Sequence, residues 1–256
     1  MYTDEVQPFL DIYYNTLEQS KIRDLIQHAT NGGKCIRGFI VKHIIETLTG
    51  KRDDEVPWQP IVSVELIHSA SIVIDDLPCM DNDTYRRGKL STFKHFGNNE
   101  SILSSYFIIS ETIRIIIDGL DDIDNIKEFK TLINEWCELL GKNLVIGQFL
   151  DLKGDAESYF NIKISKTDSV NDYIIKYKTC SLFSFSFLMG AFFSNKIDDE
   201  TIQDFKDMGL HFGMMFQLMD DYRDKDTDVP YANYVLSKGL PMAIEKYKQS
   251  RTSLCV

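Results

Sequence analysis

An all-α fold is the class this sequence predicts, on three observations. Apolar residues recur at three- and four-residue steps along most of the chain, and no stretch alternates at the two-residue period of a strand. The breaks between the periodic stretches carry glycine and proline. With 256 residues, 43% hydrophobic and 26% charged, the chain has the composition of a globular protein. No linker divides it, so it reads as one domain over residues 1–256.

Residues 1–30 read as amphipathic helix, with Phe9, Leu10, Tyr13, Tyr14 and Leu17, then Ile22, Leu25 and Ile26, at helical steps. Asn31-Gly32-Gly33-Lys34-Cys35-Ile36-Arg37-Gly38 breaks that pattern. Its glycines stop one helix and expose the amides of the next, with Lys34 and Arg37 one turn apart. That is a diphosphate cradle or a plain turn between helices. Lys51 to Pro57 is a charged surface loop, and from Ile61 a helix carries Val64, Ile67, His68, Ser71, Ile72 and Ile74 into Asp75. Pro78 cannot sit in a helix interior, so the helix ends, kinks or bulges there and returns Asp81 towards Asp75.

Gly88 to Phe93 is a loop whose Lys89 reaches a phosphate or water. Leu103, Phe107, Ile108, Ile113, Ile116 and Ile117 make an apolar helix of residues 102–117, followed by Asp121-Asp122-Ile123-Asp124, a helix-capping loop. Helix resumes from Trp136 to Leu150, where Gln148 and Asp151 are cavity groups or core polar groups. Phe183, Phe185 and Phe187 in the apolar run 173–193 are core. The last strong helix, residues 208–224, packs Phe212, Met215, Phe216 and Met219 inward.

The chemistry gathers in two acidic segments. Asp75, Asp76, Asp81 and Asp83 fall within nine residues, directly before Arg86 and Arg87. Carboxylates are hard ligands suited to Mg²⁺, which favours a substrate phosphate as co-ligand, and guanidinium forks suit phosphate oxygens. Acid plus base in one segment therefore reads as metal plus phosphate. In the second segment, Asp220-Asp221-Tyr222-Arg223-Asp224, the helical i, i+4 spacing points Asp220 and Asp224 the same way, so both can share a metal.

DDLPCMD from Asp75, DDYRD from Asp220 and GGKxxR from Gly32 together resemble the trans-isoprenyl diphosphate synthases of the polyprenyl synthetase family, over about residues 31–224. The resemblance implies an isoprenoid synthase-type helical bundle around a central cavity, paired as a homodimer. It implies Mg²⁺, three ions with Mn²⁺ as a substitute, held by Asp75, Asp76, Asp81, Asp220, Asp221 and Asp224. Isopentenyl diphosphate falls to Lys34, Arg37, His68 and Arg87, and the allylic diphosphate to Arg86, Lys178, Thr179 and Gln217. Asp75, Asp76, Asp81, Lys178 and Asp220 would carry the ionisation and condensation, with no covalent nucleophile. Gly147-Gln148 and Asp151 match the family's GQxxD stretch.

Two departures stand out. Ser104-Ser105 occupies the place of a Gly-Asp pair, and the lysines that follow the second motif in relatives are absent, leaving Lys225 or Lys238 to substitute. Ala70 and Ser71 are small where farnesyl-making relatives often carry an aromatic residue, which implies a deep floor and geranylgeranyl diphosphate as product. A terpene cyclase of the same fold and a non-catalytic partner subunit are the rival readings; the intact second motif counts against both.

The net charge of −11 argues against a nucleic-acid partner. Five scattered cysteines without a CxxC pair suggest neither a disulfide framework nor a zinc site. With no signal peptide at the acidic N-terminus, no run long enough to span a bilayer, and Cys255 misplaced for a prenylation box, a cytoplasmic protein is expected.

Overall fold

The computed structural model describes residues 2–120, 126–154, 157–165, 169–195, 198–226 and 233–254. The acidic stretch Asp121-Asp122-Ile123-Asp124, the segment Thr227-Asp228-Val229-Pro230 and Cys255 lie outside them. Among the described residues the structure is helical apart from one short hairpin. None of the helices is long and apolar enough to cross a membrane.

The chain divides into two compact units, Met1–Asp124 with Phe193–Asn195, and Asn125–Phe192 with Lys196–Val256. In the first unit the helices are α1 (Tyr2–Thr16), α2 (Lys21–Thr30), α3 (Ile36–Thr49), α4 (Trp58–Asp75), α5 (Thr92–Phe96) and α6 (Asn98–Asp118). They pack round α4, where nearly every residue from Pro60 to Ala70 is buried. A helix that is apolar on all sides belongs in the middle of a bundle. The expected helix of residues 1–30 is two helices, because Ser20 caps a second start by accepting the Arg23 N–H at 3.4 Å.

The hairpin pairs β1 (Tyr85–Arg86) with β2 (Lys89–Leu90), so Arg87 and Gly88 form its two-residue loop. Both have positive φ, 54° and 76°, the geometry that matches the twist of the flanking strands.

The second unit is built likewise round a buried helix, α11 (Ser181–Phe192). Around it lie α7 (Ile126–Trp136), α8 (Leu144–Lys153), α9 (Glu157–Phe160), α10 (Val170–Ile174), α12 (Asp199–Arg223), α13 (Tyr234–Lys238) and α14 (Leu240–Leu254). Two wide π-helical turns, Cys137–Asn143 and Ile175–Cys180, interrupt the helical runs. Glycine lets α12 lie against the start of α11: a Cβ on Gly213 would sit 2.8 Å from the Cys180 Cα, and one on Gly209 would overlap the Ser184 backbone. The α12 helix begins nine residues earlier than expected because the Asp198 carboxylate caps it, accepting the Thr201 N–H at 2.8 Å.

Candidate active site

In the first unit α4 ends at Asp75, two residues short of the Leu77-Pro78 pair, and the chain folds back on itself. The Leu77 N–H donates to the Ile74 carbonyl at 3.2 Å, the Asn82 N–H to Leu77 at 3.1 Å and the Asp81 N–H to Asp75 at 2.9 Å. The last bond joins the backbones of the two outer aspartates and turns their awkward six-residue step into neighbourhood. Asp75 is half-buried and Asp81 exposed. Asp76 turns inward instead, 1% exposed, and accepts from Arg86 Nε at 2.8 Å and from its second nitrogen at 2.7 Å. Burial raises the Asp76 carboxyl more than Arg86 lowers it. Asp83 joins the same guanidinium.

Arg87 points elsewhere. Its guanidinium donates to the carbonyls of Ala29 at 2.7 Å and Thr30 at 2.8 Å, at the end of α2, a natural seat for a cation. The glycine turn lies against it: a Cβ on Gly33 would sit 3.0 Å from the Arg87 guanidinium carbon. Lys89 donates to the His28 carbonyl at 2.5 Å, which ties the hairpin to the end of α2.

Arg37, Arg87 and His68 form one electrostatic cluster, and Lys34 stands exposed on the adjoining turn. Burial, opposed by Glu65 and assisted by Arg87, brings Arg37 down to about 10. Burial and the three arginines 37, 87 and 86 hold His68 well below its ordinary value, so the imidazole is neutral at neutral pH. Sequence reasoning missed Glu65, a buried carboxylate among these cations. Its three-residue spacing from His68 puts both on one face of α4, which was the signal available.

In the second unit Gln217, Asp220, Asp221 and Asp224 share one face of α12 and its end. Asp224 caps the helix, its N–H donating to the Asp220 carbonyl at 3.0 Å. Asp221 is 3% exposed and accepts from Gln217 Nε2 at 2.7 Å and from the Tyr234 N–H at 2.8 Å. Its main-chain carbonyl accepts from Asn233 Nδ2 at 2.7 Å. Thr179 donates its hydroxyl to Gln217 Oε1 at 2.8 Å, which fixes the orientation of that amide.

Lys178 and Thr179 lie on the π-helical turn before α11. The turn sits close on α8, since a Cβ on Gly147 would overlap the Lys178 backbone nitrogen. The Lys178 ammonium pairs with Asp151 at 2.6 Å, so Asp151 is the partner of a basic neighbour. Both amide atoms of Gln148 are buried with no hydrogen-bond partner among the described residues. Lys225, one of two cations expected to substitute after the second motif, rests over the Tyr222 ring at 4.5 Å, and Lys238 ends α13.

Among the described residues no three of His, Cys, Asp and Glu converge as a ready-made metal cage. The donors nonetheless fit a hard cation, since Mg²⁺ is commonly held by one or two carboxylates plus substrate phosphates. Ser104 and Ser105 are buried in α6, and the Ser105 hydroxyl lies 3.5 Å from the Ala70 carbonyl on α4.

An all-α chain with two aspartate motifs and separate clusters of cations has the parts of an enzyme that handles diphosphates on metal ions. The polyprenyl synthetase family model matches residues 19–238, and the chain belongs to that family. It is 32% identical over 210 residues to a farnesyl diphosphate synthase of Micrococcus luteus, covering 80% of this chain and 67% of that one. It is also 32% identical over 197 residues to geranylgeranyl pyrophosphate synthase 6 of Arabidopsis thaliana, covering 76% and 56%. The structure superposes on that of a geranyltransferase from Legionella pneumophila with a TM-score of 0.80 at 25% identity, covering 99% of this chain and 87% of that one.

Proposed function

We propose that this protein is a cytosolic, Mg²⁺-dependent prenyltransferase that joins isopentenyl diphosphate to an allylic diphosphate and releases geranylgeranyl diphosphate. The observation that carries the reading is the division of α4 and its hairpin into two chemistries. Asp75 and Asp81 are brought together for a metal-bound diphosphate, while Arg37, Arg87 and His68 gather round α3 for a second one. A condensation of two diphosphates needs both. A helical structure of a geranyltransferase from Helicobacter pylori holds magnesium and isoprenyl diphosphate, with a TM-score of 0.76 at 22% identity.

In this reading Asp75 and Asp81 of the first unit, and Asp220 and Asp224 of the second, would each hold Mg²⁺, which supplies charge neutralisation to a departing pyrophosphate. Lys178 in the second unit and Arg86 in the first are each held in place by a carboxylate, Asp151 or Asp76, and either would add positive charge to a diphosphate bound beside it. Thr179 and Gln217 present oxygens of fixed orientation to the allylic carbons. Lys34, Arg37, Arg87 and neutral His68 hold isopentenyl diphosphate. Small side chains support the C20 product: Ala70 is fully buried against α6, and the Ser71 hydroxyl folds back onto the His68 carbonyl at 2.9 Å. Tyr106 and Phe107, the bulky candidates to close a floor there, are 70% and 38% exposed. With Ile102 and Leu103 they form an exposed apolar stripe on α6, which supports a homodimer. The four described cysteines are free thiols, as a reducing compartment would keep them.

The test is product sizing after incubation with Mg²⁺, labelled isopentenyl diphosphate and the C5, C10 or C15 allylic diphosphate. A C20 product that disappears with EDTA is expected. Products that stop at C15 would remove the length assignment, and no extension of any primer would remove the activity.

A further inference from the structure

The sequence suggested that the amides opening α3 receive a diphosphate, and the structure shows one of them already engaged. Residue Cys35 enters α3 with φ 52° and offers no side-chain cap. Early helix amides need an acceptor, and the Gly38 N–H finds one on another helix, donating to Glu65 Oε1 at 2.8 Å. The approach is close: a Cβ on Gly38 would lie 3.1 Å from the Glu65 Cγ and from a Val6 methyl. Glu65 is 4% exposed, and burial raises its carboxyl above the ordinary value, opposed by the Gly38 amide and by Arg37 and Arg87.

What surrounds it is the cationic cluster. Arg37 and Arg87 are both within electrostatic reach of Glu65, which heads the attractive influences on each. The remaining arginine near His68, Arg86, has its own carboxylate in Asp76. Two part-buried guanidiniums beside a neutral imidazole favour a nearby counter-charge.

We propose that Glu65 is a positioning residue: it anchors the start of α3, and with it Arg37, and supplies a counter-charge beside Arg37 and Arg87 for binding of the diphosphate of isopentenyl diphosphate. The proposal rests on the prenyltransferase reading and assigns a residue that reading does not use. Because the α3 dipole is spent on Glu65, the ligand is met by side chains. Because Arg37 is placed through α3 and Arg87 by the carbonyls ending α2 before it arrives, little rearrangement accompanies binding.

Glu65→Gln keeps an acceptor for Gly38 and removes the charge. The KM for isopentenyl diphosphate is expected to rise about tenfold or more, since removing one charge from a buried cluster leaves the others uncompensated. The allylic KM is expected to stay within about twofold, since the change is in uniform binding of one substrate. An unchanged KM, or a tighter one as simple loss of negative field would give, overturns the proposal. In an Arg37→Gln background the same substitution is expected to add less than about twofold, and full additivity overturns the claim that Glu65 acts through the arginine. Glu65→Asp keeps the charge with a shorter reach and serves where Glu65→Gln fails to fold. A smaller rise of the same kind supports the role, and no rise overturns it. Calorimetric titration of isopentenyl diphosphate separates the two levels. Equal binding by wild type and Glu65→Gln overturns the role of Glu65 alone, whereas no binding and no turnover by wild type overturns the function and this role with it.

Discussion

Asp220 and Asp221 are adjacent in sequence, and their substitutions should have opposite signatures. Asp221→Ala removes the acceptor of Gln217 Nε2 and leaves the buried Tyr234 N–H without a partner. Hydrogen bonds to a charged group contribute about 1.5–3 kcal/mol each, and an orphaned buried donor costs about 1–3 kcal/mol. These overlap, so the loss is set at about 3–5 kcal/mol, at the severe end for one substitution. For a chain of this size that corresponds to a fall in Tm of about 6–20 °C. Asp220→Ala removes a half-buried carboxylate at the helix end and is expected to move Tm by less than about 2 °C. It should nonetheless abolish turnover, for which a loss of at least about 100-fold is the expectation when a charge stabiliser goes. Scanning calorimetry beside a product assay reads both variants. A Tm for Asp221→Ala equal to wild type, or a fall for Asp220→Ala as large as that for Asp221→Ala, would refute the assignment of inward and outward roles.

Gly147→Ala forces a Cβ into the Lys178 backbone and must separate α8 from the π-helical turn, at about 2–3 kcal/mol of stability for such overpacking, read by thermal melting. The same variant should weaken allylic diphosphate binding, because Lys178 moves with the turn. The Asp172–Lys246 pair predicts a pH dependence. Burial opposes ionisation of Asp172, but Lys246 at 2.7 Å and Ser169 outweigh it and hold the carboxyl below its usual value. Stability from a depressed folded value is present above the unfolded value of about 3.9 and disappears as pH falls through the folded one. Lys246→Ala should therefore lower Tm at pH 7 by about 2 °C, as for a part-exposed pair, with the two proteins converging as pH falls through the depressed folded value of Asp172.

The helices were legible because their signals are local. Period, glycine breaks and the proline at residue 78 announced α4, its end and the return of Asp81, and the structure closes that return with a single backbone hydrogen bond. The break at Ser20 was equally local and was passed over because the apolar steps on either side look continuous. What no pattern in the sequence declares is which side chain spends itself on the protein. Arg86 and Arg87 read alike, yet one belongs to Asp76 and the other to the carbonyls ending α2, a choice made by the hairpin's two-residue loop. Glu65 looked like one more residue of an apolar helix, because its partner Gly38 lies 27 residues away. The π-helical turns were invisible for a related reason, since no residue signature marks a widened turn.

The two aspartate motifs share a logic that explains why each begins with a doubled residue. Successive side chains on a helix diverge by about 100°, so the two aspartates of each pair can take different partners. At each helix end the second of the pair is the one that turns inward. Asp76 takes Arg86 and so fixes the hairpin, and Asp221 takes Gln217 and the first amide of α13. Asp75 and Asp220 are left at the half-buried edge, each tied through the backbone to the last aspartate of its motif. The inward carboxylate thus secures the chain segment that follows, and with it the helix end that aims the outward one. Carboxylates held this way need little reorganisation to meet a cation. That is why loss of the inward residue should first appear as lost stability, and loss of the outward one as lost chemistry.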